Sequence, residues 1–170
     1  LFHRIEKALQ GQPGLLILDE AWVMLGHPIF RNKIREWLKT YRRKNCAVVL
    51  STQSISDASN SGIMDVIVES CPTKIFLANH AAEEEQPAQL YRMAGVNERQ
   101  ISIIAKTMTP KQDYYIVQPS GRRRVQLALG PKTLAFTGAS DRDSITRIRA
   151  LMTEHPEGWQ ELWLRERGAI

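Results

Sequence analysis

The sequence predicts an α/β fold whose core is a parallel sheet covered by helices. Three observations carry that prediction. Residues 15–18, Cys46–Leu50 and, after Lys74, residues 75–77 are short runs that stay apolar on both faces, as strands of a parallel sheet do. The segments between them place apolar residues at helical intervals. The composition, 43% hydrophobic and 24% charged over 170 residues, is that of one ordinary globular domain with at most a small appendage.

Taken in order, residues 2–9 carry Phe2, Ile5, Ala8 and Leu9 at helical spacing, and Gly11-Gln12-Pro13-Gly14 stops them. The first strand follows and ends at two acids. Pro28 is placed as the first residue of a helix running to about residue 44, with Phe30, Ile34, Trp37, Leu38 and Tyr41 on one face. The β-branched run Cys46–Leu50 is too short for a helix. Residues 54–69 read as helix, with a break near 59–62, and Lys74–Leu77 reads as a third strand of the same parallel sheet. Beyond it come helices at 87–94 and 98–105. A hairpin of Asp113–Gln118 with residues 123–129 turns at Pro119-Ser120-Gly121. One further strand is expected at 134–137, then helices at 141–152, capped by Ser140 or Asp141, and at 157–167. The expected organisation is a sheet domain over residues 1–80, with residues 81–170 packed on it as C-terminal helices and hairpin.

Several classes of function are excluded or disfavoured. No apolar run approaches the ~18–20 residues of a membrane-spanning helix, and residues 1–30 show no secretory signal. Cys46 and Cys71 are too few for a disulfide framework and read as reduced thiols of a cytosolic protein. The four histidines have no metal-ligand spacing with each other or with the cysteines. A net charge of +5 permits an acidic partner such as DNA or a phosphate ligand without demanding one.

The stretch with chemical content is Leu15-Leu16-Ile17-Leu18-Asp19-Glu20. Four apolar residues followed by two acids form a Walker B pattern. A buried strand delivers its acids to the carboxyl edge of the sheet, where ligands of open α/β folds bind. There the first acid associates with Mg²⁺ through water and the second orients or deprotonates an attacking water. The bland alternative is a strand ending in two solvated carboxylates. Cys46–Leu50 ends in the same way at Ser51-Thr52-Gln53, which puts an amide beside those acids, while Ser51, Thr52 or Ser54 serves as a helix N-cap. The basic run Arg42-Arg43-Lys44 is either a cationic helix C-terminus or a source of an arginine finger for a neighbouring subunit. Arg122-Arg123-Arg124 is either a solvated hairpin tip or a DNA-facing loop.

Leu15–Trp22 with its Asp-Glu-Ala-Trp ending, Ile34-Arg35-Glu36-Trp37-Leu38-Lys39-Thr40 and Ser51-Thr52-Gln53-Ser54 resemble the conjugative-transfer ATPases of type IV secretion systems, of the TrbE type. The likeness continues in order through Glu69-Ser70-Cys71-Pro72, Ile75-Phe76-Leu77, Asp113-Tyr114-Tyr115, Leu129-Gly130-Pro131, Phe136-Thr137-Gly138-Ala139-Ser140 and Arg147-Ile148-Arg149-Ala150-Leu151. The resemblance implies a partial RecA-like parallel sheet with helices on both faces, plus the C-terminal hairpin and helices. It implies Asp19 as the Mg²⁺-associated acid, Glu20 as catalytic glutamate, Gln53 as the motif glutamine, and Arg42, or failing it Arg43, as the residue acting in trans. It also implies ATP and Mg²⁺ as cofactors of a longer parent protein. That parent would be a hexamer of like subunits, working with other secretion components on the cytoplasmic face of the inner membrane.

One departure stands against these matches. No G-x-x-x-x-G-K-[ST] phosphate loop occurs in the 170 residues. The chain therefore reads as the C-terminal piece of a motor domain, inactive alone, with no nucleotide expected to bind it tightly and with a sheet edge or face left uncovered. Two other readings stay open: a non-enzymatic subunit-interaction module, and a DNA-binding module using the two arginine runs.

Overall fold

The computed structural model describes residues 2–170, which divide into two compact units at the Gln126/Leu127 junction. In the first unit, α1 (Phe2–Ala8) leads into β1 (Gly14–Leu18), the short α2 (Ala21–Leu25) and α3 (Pro28–Thr40). A 3₁₀ turn, Tyr41–Lys44, then enters β2 (Cys46–Leu50), followed by α4 (Ile55–Asn60), α5 (Met64–Ser70) and β3 (Lys74–Leu77). The remainder is α6 (Glu85–Met93), α7 (Glu98–Ser102), a π-helical turn at Ile103–Thr107, β4 (Asp113–Gln118) and β5 (Gly121–Gln126). The second unit consists of α8 (Pro131–Thr137), α9 (Arg142–Glu154) and α10 (Trp159–Glu166).

The strands form two sheets. β1 and β2 pair in parallel with Gly14 opposite Cys46 and Leu18 opposite Leu50. β3, β4 and β5 form an antiparallel sheet in that order. β3 is thus not the third parallel strand that its apolar character predicts. It pairs with β4, Lys74 opposite Val117, because an apolar strand declares that it is buried but not which neighbour it takes. β4 and β5 make the expected hairpin, although β5 begins at Gly121 and stops at Gln126, before Leu127. Since β3 and β4 share one sheet, the first compact unit runs without interruption across residue 80 to residue 126.

One face of β1–β2 builds the core. Leu16, Leu18, Val48 and Leu50 meet Ile34, Leu38 and Ile63, and Trp37 and Tyr41 stack beside Cys46 with Phe2, Ile5 and Leu9 against them. The opposite face is apolar as well but open: Leu15 is 63% exposed, Ile17 62% and Val49 46%. A second core joins Phe76, Tyr115 and Val117 of the antiparallel sheet to Ala88, Tyr91, Ile101 and Ile104. In the second unit α10 packs on α8 and α9, and the buried Trp163 donates its indole N–H to the Ala135 carbonyl at 2.9 Å. The strand expected at 134–137 is the second half of α8. Pro131 at its first turn presets helical φ, and this outweighs the β-favouring residues that follow. Asp141 caps α9 as expected, accepting from the Ser144 amide at 2.8 Å.

The contrast between the two faces predicts a contrast in stability. Ile34→Ala empties a fully buried site and lowers the unfolding free energy by about 2–5 kcal/mol. Leu15→Ala, on the open face, leaves the urea midpoint nearly unchanged. A second prediction concerns Asp113, a buried carboxylate whose Oδ2 accepts from the Thr109 amide at 2.6 Å. That hydrogen bond, helped by the Arg124 guanidinium, holds its pKa below the ordinary carboxylate range. A depressed carboxylate contributes stability above its unfolded pKa and loses it as pH falls through the folded one. Thermal unfolding followed downward from about pH 4 should show a fall that Asp113→Asn reduces.

Candidate functional site

The site lies where β1 and β2 end side by side. The parallel ladder continues one residue past both strands: the Ser51 amide donates to the Leu18 carbonyl at 3.0 Å, and the Ala21 amide to the Ser51 carbonyl at 2.8 Å. Ser51 is therefore stitched between residues 18 and 21, so the chain between them, Asp19-Glu20, has little freedom. The Ser51 hydroxyl also donates to Asp19 Oδ1, which accepts the Glu20 amide at 3.0 Å as well. Asp19 is exposed, and these bonds engage one carboxylate oxygen and fix its direction, leaving the other oxygen for a hydrated cation.

Glu20 sits in the left-handed region, φ 52° and ψ 41°. An L-residue there gives up about 1–2 kcal/mol, a form of strain that clusters at functional sites. The turn carries the Glu20 carboxylate toward β2. Gln53 Nε2 donates to it at 3.1 Å from Oε1 and 3.2 Å from Oε2, and the Trp22 indole N–H donates to Oε2 at 2.5 Å. All of these side chains are open to solvent. Of the candidate N-caps, Ser54 is the one used, accepting from the Ser56 amide at 3.1 Å, while the Thr52 hydroxyl reaches Asp57. Asp19, Glu20 and Gln53 are thus together at one sheet edge, as their positions after two apolar runs predict.

Sequence reasoning does not single out Trp22 or assign Ser51 to Asp19. Ser51 was legible in principle, being the next register position after the Leu18–Leu50 pair. Trp22 was not, since residues two apart diverge on a helix and nothing in the sequence marks the left-handed turn at Glu20 that brings them together.

Arg42 and Arg43 are exposed in the turn that precedes β2, at the amino end of the sheet. The length of a five-residue strand, roughly 16 Å at 3.3 Å per residue, separates that end from Asp19 and Glu20, and neither arginine belongs to the site of its own chain. Arg42 instead borders a cavity of about 590 Å³ at that opposite edge, together with Gly14, Tyr41 and Cys46. Of the hairpin arginines, Arg124 is engaged internally, with Nη1 donating to the Thr107 carbonyl at 2.9 Å, whereas Arg122 and Arg123 are exposed on an edge strand. Gly130-Pro131-Lys132 begins a helix of seven residues and makes no phosphate loop. Both cysteines are free, and no three His, Cys, Asp or Glu residues among those described are grouped to hold a metal. No helix among the described residues is long and apolar enough to cross a membrane.

The chain as a whole is similar to known proteins. The family model of the TraG P-loop domain matches residues 2–126, ending at the residue that closes the first compact unit. Over 168 residues the chain is 61% identical to the conjugal transfer protein TrbE of Rhizobium radiobacter and 58% identical to a probable conjugal transfer protein TrbE of Sinorhizobium fredii. Each match takes in 99% of this chain, which spans 20% and 25% of the lengths of those two relatives. The fold is similar to the structure of VirB4 of Thermoanaerobacter pseudethanolicus, with a TM-score of 0.59 and 16% identity, covering 75% of this chain and 34% of that one. With residues 2–126 matched by that model, the chain belongs to the TraG P-loop domain family.

Proposed function

We propose that this chain is part of an ATP hydrolase that energises conjugative DNA transfer or type IV secretion, and that it carries the Mg²⁺ and water-activating half of the catalytic site. The observation that carries the reading is the grouping of Asp19, Glu20 and Gln53 at the carboxyl edge of β1–β2, with the Gln53 amide on the Glu20 carboxylate. In this reading the free oxygen of Asp19 holds a water of the Mg²⁺ shell, and Glu20 orients or deprotonates the attacking water. Gln53 links the carboxylate to the second strand, and in this reading it senses the terminal phosphate. Bound Mg²⁺ and ATP supply the electrophilic phosphorus and the neutralising charge.

The residues present fit the cation and water side and do not fit the phosphate side, since no loop of backbone amides with a lysine occurs in the sequence. The longer relatives support the view that the loop is contributed elsewhere in the parent protein. Arg42, a strand's length from its own Asp19, suits a role in trans at the site of a neighbouring copy, with Arg43 as the substitute. The proposal extends to a ring of like subunits working at the inner membrane with other secretion components, a reading supported by the likeness to conjugal transfer and type IV secretion proteins and not by this geometry. Direct DNA contact has the exposed Arg122 and Arg123 in its favour, together with the exposed Arg42 and Arg43 in the turn before β2.

Two measurements test the proposal. The isolated 170-residue chain should show negligible ATP turnover and at most weak nucleotide binding. In the longer protein, Glu20→Gln should abolish steady-state phosphate release while ATP binding stays near wild type, because it removes the water-orienting charge and little binding energy. Robust hydrolysis by the isolated chain would mean that these residues also hold the phosphates, and hydrolysis in the longer protein that survives Glu20→Gln would relocate the active site.

A further inference from the structure

We propose that Trp22 is a positioning residue for Glu20. The inference rests on the hydrolase reading above and extends it to a second donor to the carboxylate that Gln53 contacts. The indole N–H, a donor with a single hydrogen, lies 2.5 Å from Glu20 Oε2. Residues two apart on a helix point to different sides. Here they meet because Glu20 is left-handed and α2 starts immediately after it at Ala21.

The ring is not there to complete the core. Trp22 is 42% exposed and is absent from the buried clusters, so its N–H has water available and no need of a carboxylate. The bond instead acts on Glu20. A glutamate side chain on an exposed turn samples many rotamers. Gln53 bridges both oxygens from the segment after β2 and Trp22 adds a second donor to Oε2, and two donors from separate elements restrict the orientation of the carboxylate. In the proposed role, that restriction sets the geometry in which Glu20 meets a water before any ligand arrives.

The contact is read directly in the ¹H–¹⁵N indole region of the chain, which has four tryptophans. Glu20→Ala should return the Trp22 N–H signal to the position of a solvated indole and leave Trp37, Trp159 and Trp163 in place. An unmoved Trp22 signal overturns the proposal. In the longer protein, Trp22→Phe should lower kcat about tenfold with KM for ATP changed by less than about twofold. Trp22→His, which keeps a ring N–H, should retain more turnover than Trp22→Phe at an equal urea midpoint. If Glu20→Gln is inactive and Trp22→Phe turns over like wild type, the Trp22 assignment alone falls. If Glu20→Gln turns over like wild type, the hydrolase reading falls and takes this one with it. Should Trp22→Phe fail to fold, the Glu20→Ala spectrum decides, since it leaves the indole in place.

Discussion

The parallel pairing of β1 with β2 is the constraint from which the rest of the site follows. Two five-residue strands in register put Leu18 beside Leu50, and whatever comes next on each strand is forced into proximity. Ser51 turns that proximity into connection, since its amide, carbonyl and hydroxyl each bond to a different part of the segment 18–21. Without the ladder, Asp19 and Glu20 would be two solvated acids on a loop. With it, main-chain bonds fix the backbone of both residues, and the side chains of Ser51, Gln53 and Trp22 set the directions of the two carboxylates.

The same pairing carries the core. Alternate residues of β1 and β2 receive α3 and α1, and Trp37 and Ile34 are buried there almost completely. The site is therefore rigid from below although every functional side chain is exposed above. Under the proposal that the site is completed from outside this chain, rigidity beneath an open surface lets the other half approach without first displacing protein. The separation of Arg42 from Asp19 along β2 agrees with such sharing: one edge of the sheet presents acids, the other a cation.

Much of this was legible in the sequence where the signal is local. An apolar run followed by acids, a second run followed by Ser-Thr-Gln, proline at a helix start and aspartate at a cap each act within a few residues, and β1, β2, α3 and α9 follow them closely. Legibility ended where partners are distant or the backbone is unusual. The strand at Lys74–Leu77 carries no mark of pairing with Tyr114–Val117 across more than thirty residues, and its apolar character suited a parallel sheet equally well. The run at 134–137 contains Leu, Phe and Thr, and the proline three residues earlier was the better guide. At Glu20 nothing in the residue type announces a positive φ, so the meeting with Trp22 stayed hidden.

That positive φ also sets two selective pressures against each other. The backbone at position 20 favours glycine or asparagine, and a search for more stable sequences would exchange the glutamate for one of them and gain free energy. A search for turnover, under the role proposed for the carboxylate, would reject both. Residue 20 is thus a position where a stability-ranked library and an activity-ranked library diverge, and consensus-style stabilisation of this domain has to leave it alone. Asn45, another left-handed residue, immediately before β2, shows the resolved case: it carries a residue type suited to its conformation, at a turn for which no acid is proposed.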